Sequence, residues 1–307
     1  MVGVTSQTTT RRPERARAGV VTACVLTAVA CMAGVLALWG VFVRTEKGQQ
    51  VDAAAVEGAA YGQTELWRVA ERVLDVVSVS AIAVVLLVAV GIAVLRRRWE
   101  LAVQVAVVMG GANLTTQVLK YAVLARPEHG IPIGSQANSL PSGHTTAAMS
   151  IAVVLLLVVP SRMRPLVAAV GAAYAAATGV STLVGQWHRP SDVIAAVLVV
   201  LGWTAATCAI TALWPARLSE DALDGPPPTP RTLRGTLVAL GSVGACAAVV
   251  AAVALSRTFA ALPSVETRDE LLTAYAGGVA GTVAACAWAF AMSLALRQGA
   301  GRRLRSA

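Results

Sequence analysis

Eight stretches of this chain are apolar over a length that can cross a bilayer, and no other feature restricts its fold as strongly. They run near 19–43, 76–95, 101–123, 143–160, 165–186, 191–214, 236–256 and 271–296. A spanning helix needs roughly 20 apolar residues. Each stretch is apolar all round rather than striped on one face, and the fourth is the shortest. Only 13% of the residues are charged, against roughly 25% in an average soluble domain. A chain so poor in charge cannot cover a water-facing globule. The expected fold is therefore all-α, a polytopic membrane helical bundle of about eight transmembrane helices.

The formal net charge of +9 would point to nucleic acid in a soluble protein. Here its distribution matters more. With the N-terminus cytoplasmic, the inner segments hold 16 of the 25 Lys and Arg residues, and the outer segments hold 11 of the 16 acids. The positive-inside rule then predicts both termini in the cytoplasm. Nucleic acid is not an expected partner; the bilayer is. Residues 1–18 are polar and are expected to be disordered. No cleavable signal is expected, because the basic stretch runs straight into a full-length span. Residues 19–214 form an expected six-helix core. Residues 44–75 within it read as an outer loop, with Leu66, Val69, Ala70 and Val73 on one face of an interfacial helix. Residues 215–235, with Gly225-Pro226-Pro227-Pro228, read as a cytoplasmic linker, and 236–307 as two further spans with a basic tail. Cys24, Cys31, Cys208, Cys246 and Cys286 lie in apolar runs without metal-ligand spacing and read as small packing residues.

Ionisable groups at membrane depth are costly, so each needs a reason. They gather in three places. Lys120 ends the third span, with Arg126-Pro127 after it. Pro141-Ser142-Gly143-His144 opens the fourth. Ser181-Thr182 lies near the end of the fifth, with His188, Arg189 and Asp192 beyond. The charge-derived topology puts all three on the outer side. Singly, each has an ordinary reading. Lys120 could snorkel at a helix end, Ser142 could be an N-cap, and His188 with Asp192 could be an i, i+4 structural pair. Together they fit phosphate chemistry. Lys120 and Arg126 supply positive charge. The N-terminus of the fourth helix offers free N–H groups, and Gly143 permits close approach. Asp192 could fix the tautomer of a nucleophilic His188, and His144 could protonate a leaving oxygen. No Asp/Glu cluster suited to Mg²⁺ is visible, so neither metal nor other cofactor is expected.

These residues resemble the type 2 phosphatidic acid phosphatase (PAP2) family over roughly residues 100–214. The family pattern is Lys followed after six residues by Arg-Pro, then Pro-Ser-Gly-His, then Ser-Arg followed after five residues by His and after three more by Asp. PSGH stands intact at 141–144, and the third motif reads STLVGQWHRPSD at 181–192. The resemblance implies a membrane phosphatase with a six-helix core. His188 would be the nucleophile, Asp192 its orienting partner and His144 the general acid. Lys120, Arg126, Ser142 and Gly143 would hold phosphate oxygens. Two departures stand out: Lys120 and Arg126 are separated by five residues, and Thr182 occupies the place of the third-motif Arg. Arg189, beside His188, is a candidate substitute for the missing charge; the alternative is a substrate with fewer charges on the reacting group. The expected reaction is metal-independent dephosphorylation of a lipid phosphate or pyrophosphate, polyprenyl or glycerolipid, at the extracytoplasmic face. Phosphotransfer from lipid to another acceptor, a non-catalytic lipid or phosphate carrier, and a vanadate-dependent haloperoxidase are the competing readings.

Overall fold

The computed structural model describes residues 11–75, 87, 91, 99–131, 138–213 and 227–302. These fold into a helical bundle with no strand among the described residues. Helix α1 (Arg11–Leu38) ends in a π-helical turn, Trp39–Val43, and α2 (Glu46–Asp75) follows. Next come α3 (Trp99–Val118), ending in a π turn at Leu119–Val123, and α4 (Gly143–Val158). A 3₁₀ turn at Ser161–Met163 leads into α5 (Arg164–Val184). The bundle closes with α6 (Pro190–Leu213), α7 (Pro230–Ala261) and α8 (Arg268–Arg302). Six of these, α1, α3, α5, α6, α7 and α8, are long and apolar enough to cross a membrane, and α4 is a shorter apolar helix of 16 residues. The second expected span, 76–95, lies almost wholly outside the described residues, so the bundle accounts for seven of the eight expected helices.

Lipid gives no hydrophobic drive for one apolar helix to join another; close packing of small residues provides the contact instead. Buried alanines on α5 (Ala168, Ala172, Ala175) let α4 and α8 approach. The central core combines Met149, Val153 and Leu157 of α4, Val197 and Val200 of α6, and Phe290 of α8. Helix α6 touches α1, α3, α4 and α8, while α8 packs on α2, α5, α6 and α7. The last two helices are therefore part of one packed body with the preceding ones.

Three expectations need correction. Helix α1 starts at Arg11, inside the stretch expected to be disordered. Residues 46–75 form one continuous helix, and its N-terminal half, Val51 to Val56 with Gly58 and Ala59, is buried against protein rather than lying on a lipid surface. Of the expected interfacial face, Ala70 is buried, and the side chains of Leu66, Val69 and Val73 lie outside the description. Four cysteines are buried as packing residues, but Cys246 is exposed on α7.

Candidate active site

Two helix starts and two helix ends meet at one end of the bundle. Ser142 caps α4: its side chain accepts from Thr145 N at 3.3 Å, and its carbonyl accepts from Thr146 N at 3.0 Å. The amides of Gly143 and His144 precede these and have no intrahelical acceptor, as at any helix start. A Cβ placed on Gly143 would meet nothing within 4 Å, so the space beside this helix start is open. Such a terminus favours an anion through its N–H groups and its dipole. Ser142 N donates to Asp192 O at 2.9 Å, which ties the start of α4 to the start of α6.

The turn between α5 and α6, with the first turn of α6, carries His188, Arg189 and Asp192. Gly185 ends α5 and Gln186 adopts φ of 56°, the left-handed conformation common just past a helix end. Thr182 O accepts from Trp187 N at 3.0 Å and His188 N at 3.3 Å. Arg189 then caps α6, its carbonyl accepting from Asp192 N at 3.1 Å. Asp192 Oδ2 in return accepts from Arg189 N at 3.0 Å, the carboxylate half of a capping box. Pro190 occupies the first helical position, where its missing N–H costs nothing. Gly278 of α8 sits so close that a Cβ there would come within 2.5 Å of Pro190 Cγ.

His188 is buried, with Nδ1 facing Asp192 Oδ2 at 3.5 Å. That is ion-pair range and longer than a good hydrogen bond. Its Nε2 edge therefore points away from the carboxylate. The His144 ring lies 5.7 Å from the His188 ring and 5.4 Å from the Trp187 ring, and His144 is exposed. Lys120 is within electrostatic range of His144. Arg126 senses Arg189, Asp192 and Asp52, and burial followed by the like charge of Arg189 pulls its guanidinium below its ordinary value. Arg189 is buried and donates from Nη1 to Ser139 Oγ at 2.7 Å, while Ser139 Oγ donates to Asp192 Oδ2 at 2.6 Å. Two guanidiniums, an ammonium, two imidazoles and a helix start thus share one region.

Thr182 is different. It is fully buried and its hydroxyl donates to Gly179 O at 2.7 Å, back onto its own helix. Its carbonyl, which accepts from Trp187 and His188, is what it brings to the site. The five-residue interval between Lys120 and Arg126 falls across the π turn at Leu119–Val123 and the extended residue Leu124. A helix that ends in a π turn is frequent at functional sites, and here it sets where Lys120 sits relative to the Arg126 loop.

Several residues that complete the site were not singled out in the sequence. Asn138 Nδ2 donates to Leu124 O at 2.8 Å and Lys120 O at 3.2 Å, fastening the segment before PSGH to the end of α3. The loop bearing Arg126 is held from the N-terminal side. Trp39 Nε1 donates to Ala125 O at 2.9 Å, and Gln49 Nε2 donates to Pro127 O at 2.9 Å. Gln186 Nε2 donates to Val56 O at 2.9 Å. Asp52 of α2 accepts from Ser191 N at 3.4 Å and from Ser191 Oγ in a short contact, so it caps α6 from another helix.

Burial, then the neighbouring Asp192, pushes the Asp52 carboxyl up to about 7, against the Ser191 hydrogen bonds and the charge of Arg189. An exposed aspartate releases its proton near about 3.9. Between those two values the folded chain holds more protons than the unfolded one, so stability should fall as pH rises through this window. Thermal melts in detergent should show that slope for the native chain and a flatter one for Asp52→Asn. Parallel slopes would contradict the assignment.

Comparison with known families matches residues 101–218 to the model of the PAP2 superfamily. Comparison with curated proteins and with solved structures found no match.

Proposed function

Taking as premise that this chain belongs to the PAP2 superfamily through residues 101–218, we propose that it removes phosphate from a membrane lipid phosphate or pyrophosphate, polyprenyl or glycerolipid, through a phosphohistidine intermediate. The observation that carries this reading is the convergence of His188, His144 and Asp192 with Lys120, Arg126 and Arg189 at the start of α4, on one end of an apolar bundle. The phosphoryl group would sit before the amides of Gly143 and His144, with the three cations around its oxygens. Nε2 of His188 attacks phosphorus while Asp192 stabilises the positive charge that develops on the ring. His144 gives a proton to the departing lipid oxygen, and then takes one from the water that splits the N–P bond. Arg189 offsets part of the charge absent at Thr182.

Purified protein should release phosphate from at least one member of a panel of polyprenyl and glycerolipid phosphates and pyrophosphates. The rate should be unchanged by EDTA, since these steps use only side chains. Release from none of them, with an intact fold, would contradict the hydrolase reading. Loss of activity in EDTA, restored by a divalent ion, would contradict the metal-free one.

The proposed orientation puts this end of the bundle on the extracytoplasmic side, with both termini in the cytoplasm, as the distribution of Lys and Arg favours. The turn between α7 and α8 belongs to the same end, and Ser264 in it is exposed. Ser264→Cys should react with a membrane-impermeant thiol reagent in intact cells. Labelling only after lysis would reverse the topology.

A further inference from the structure

Helices α7 and α8 lie beyond the matched family region, yet they border the site. Helix α1 packs on α6, α7 packs on α8, and α6 and α8 meet between them. The result is a trough with α6 and α8 as its floor, α7 along one side, and the end of α1 (Leu38, Phe42) with Val51, Asp52 and Ala55 of α2 on the other. Its volume is about 600 Å³, within the range of roughly 300–1,000 Å³ usual for small-molecule sites. Small residues keep it open: Ala248, Ala251 and Ala252 on α7, and Gly281, Ala284 and Ala285 on α8. At one end the lining is Asp52, Pro190 and Ser191; at the other it is Leu201, Trp288 and Met292.

We infer that this trough receives the hydrocarbon tail of the lipid phosphate that His188 attacks. The inference rests on the phosphatase reading and extends it to how the tail is held. Three observations support it. The polar end is the first turn of α6, continuous with His188 and Arg189, so tail and phosphate would meet across one short turn. From Ser191 to Leu201 along α6 the trough descends about 15 Å at 1.5 Å per residue, about half the hydrocarbon thickness of roughly 30 Å. That is the depth of a chain in one leaflet. Apart from Asp52, Ser191 and Thr258, the lining is apolar or glycine, which suits an alkyl or prenyl chain and offers nothing to a second headgroup. Helices α7 and α8 thereby join α6 in supplying the substrate's apolar contacts, while α3 to α6 supply the chemistry.

The test uses the full chain in phosphatidylcholine vesicles with hexadecyl phosphate carrying a diazirine near the end of its tail. Irradiation should label the deep end of the trough, around Ala248 of α7 and Trp288 to Met292 of α8. Unlabelled hexadecyl phosphate should suppress that labelling, and hexadecanol should not. Labels spread over other lipid-facing residues such as Val238, Val243 and Tyr121, or displaced equally by the alcohol, would mean bulk lipid and overturn the inference. Kinetics give a second measure. Ala252→Trp and Ala285→Trp should raise KM for hexadecyl phosphate about 10-fold while leaving kcat near its native value, the signature of lost uniform binding. Butyl phosphate turnover should be unaffected. Unchanged KM for the long substrate in a variant that still hydrolyses butyl phosphate counts against the trough. If the native chain hydrolysed neither substrate, the phosphatase reading would fail while the labelling pattern still decided where the tail binds.

Discussion

Replacing His188 with alanine is expected to reduce phosphate release by about 10⁴-fold or more, the scale on which removal of a covalent nucleophile registers in other enzymes. The ring is buried against Asp192 at 3.5 Å, and no other described imidazole has that arrangement. His144, the nearest alternative, is exposed and lies across from the His188 ring at 5.7 Å. Rapid quench with a radiolabelled substrate should trap an acid-labile phosphoenzyme in the native chain and none in His188→Ala. Retention of near-native turnover by the variant would exclude covalent catalysis at this residue. The backbone of residue 188 is anchored through Thr182 O, so the turn should survive the loss of the ring and the variant should melt near the native temperature.

Asp192→Asn should cost about 10²–10⁴ in kcat while leaving measurable activity. The carboxylate faces Nδ1 of His188, accepts from Ser139 and accepts from the amide of Arg189. An asparagine keeps the shape and can still accept one or two of these bonds. It cannot balance a positive ring, and it can present its own N–H groups to the wrong partner. The loss should therefore appear in kcat more than in KM, because in the proposed mechanism the phosphate meets His188 and the cations rather than position 192. A fall confined to KM would assign Asp192 to substrate binding instead.

The apolar spans and the short-range motifs were legible because helices repeat their partners within a few residues. Pro-Ser-Gly-His is one turn of chain, and His188 with Asp192 is one turn of spacing. A cap, a turn and an i, i+4 pair leave their mark locally. Asp52, Gln49, Trp39 and Ser139 left no such mark. Their partners stand 139, 78, 86 and 53 residues away, and each is an ordinary polar or aromatic residue in its own neighbourhood. Helix α2 was misread for a related reason. Its segment Asp52-Ala53-Ala54-Ala55-Val56 is neither apolar enough for a span nor striped enough for an interface. Small side chains are what close contact with α8 requires, and composition alone does not distinguish that from surface. Thr182 could be seen as a departure from the family pattern, but where its hydroxyl turns depends on Gly179 and on the geometry of the helix end.

Asp52 reaches Ser191 from a helix that precedes the matched family region, and Trp39, Gln49 and Val56 grip the neighbouring loops from the same side. The boundary drawn by sequence similarity is thus not a boundary in the folded chain. Residues 101–218 in isolation would keep both histidines and lose the frame that spaces them. A substitution at position 52 should therefore be felt at position 191, although one residue lies inside the matched region and the other outside it.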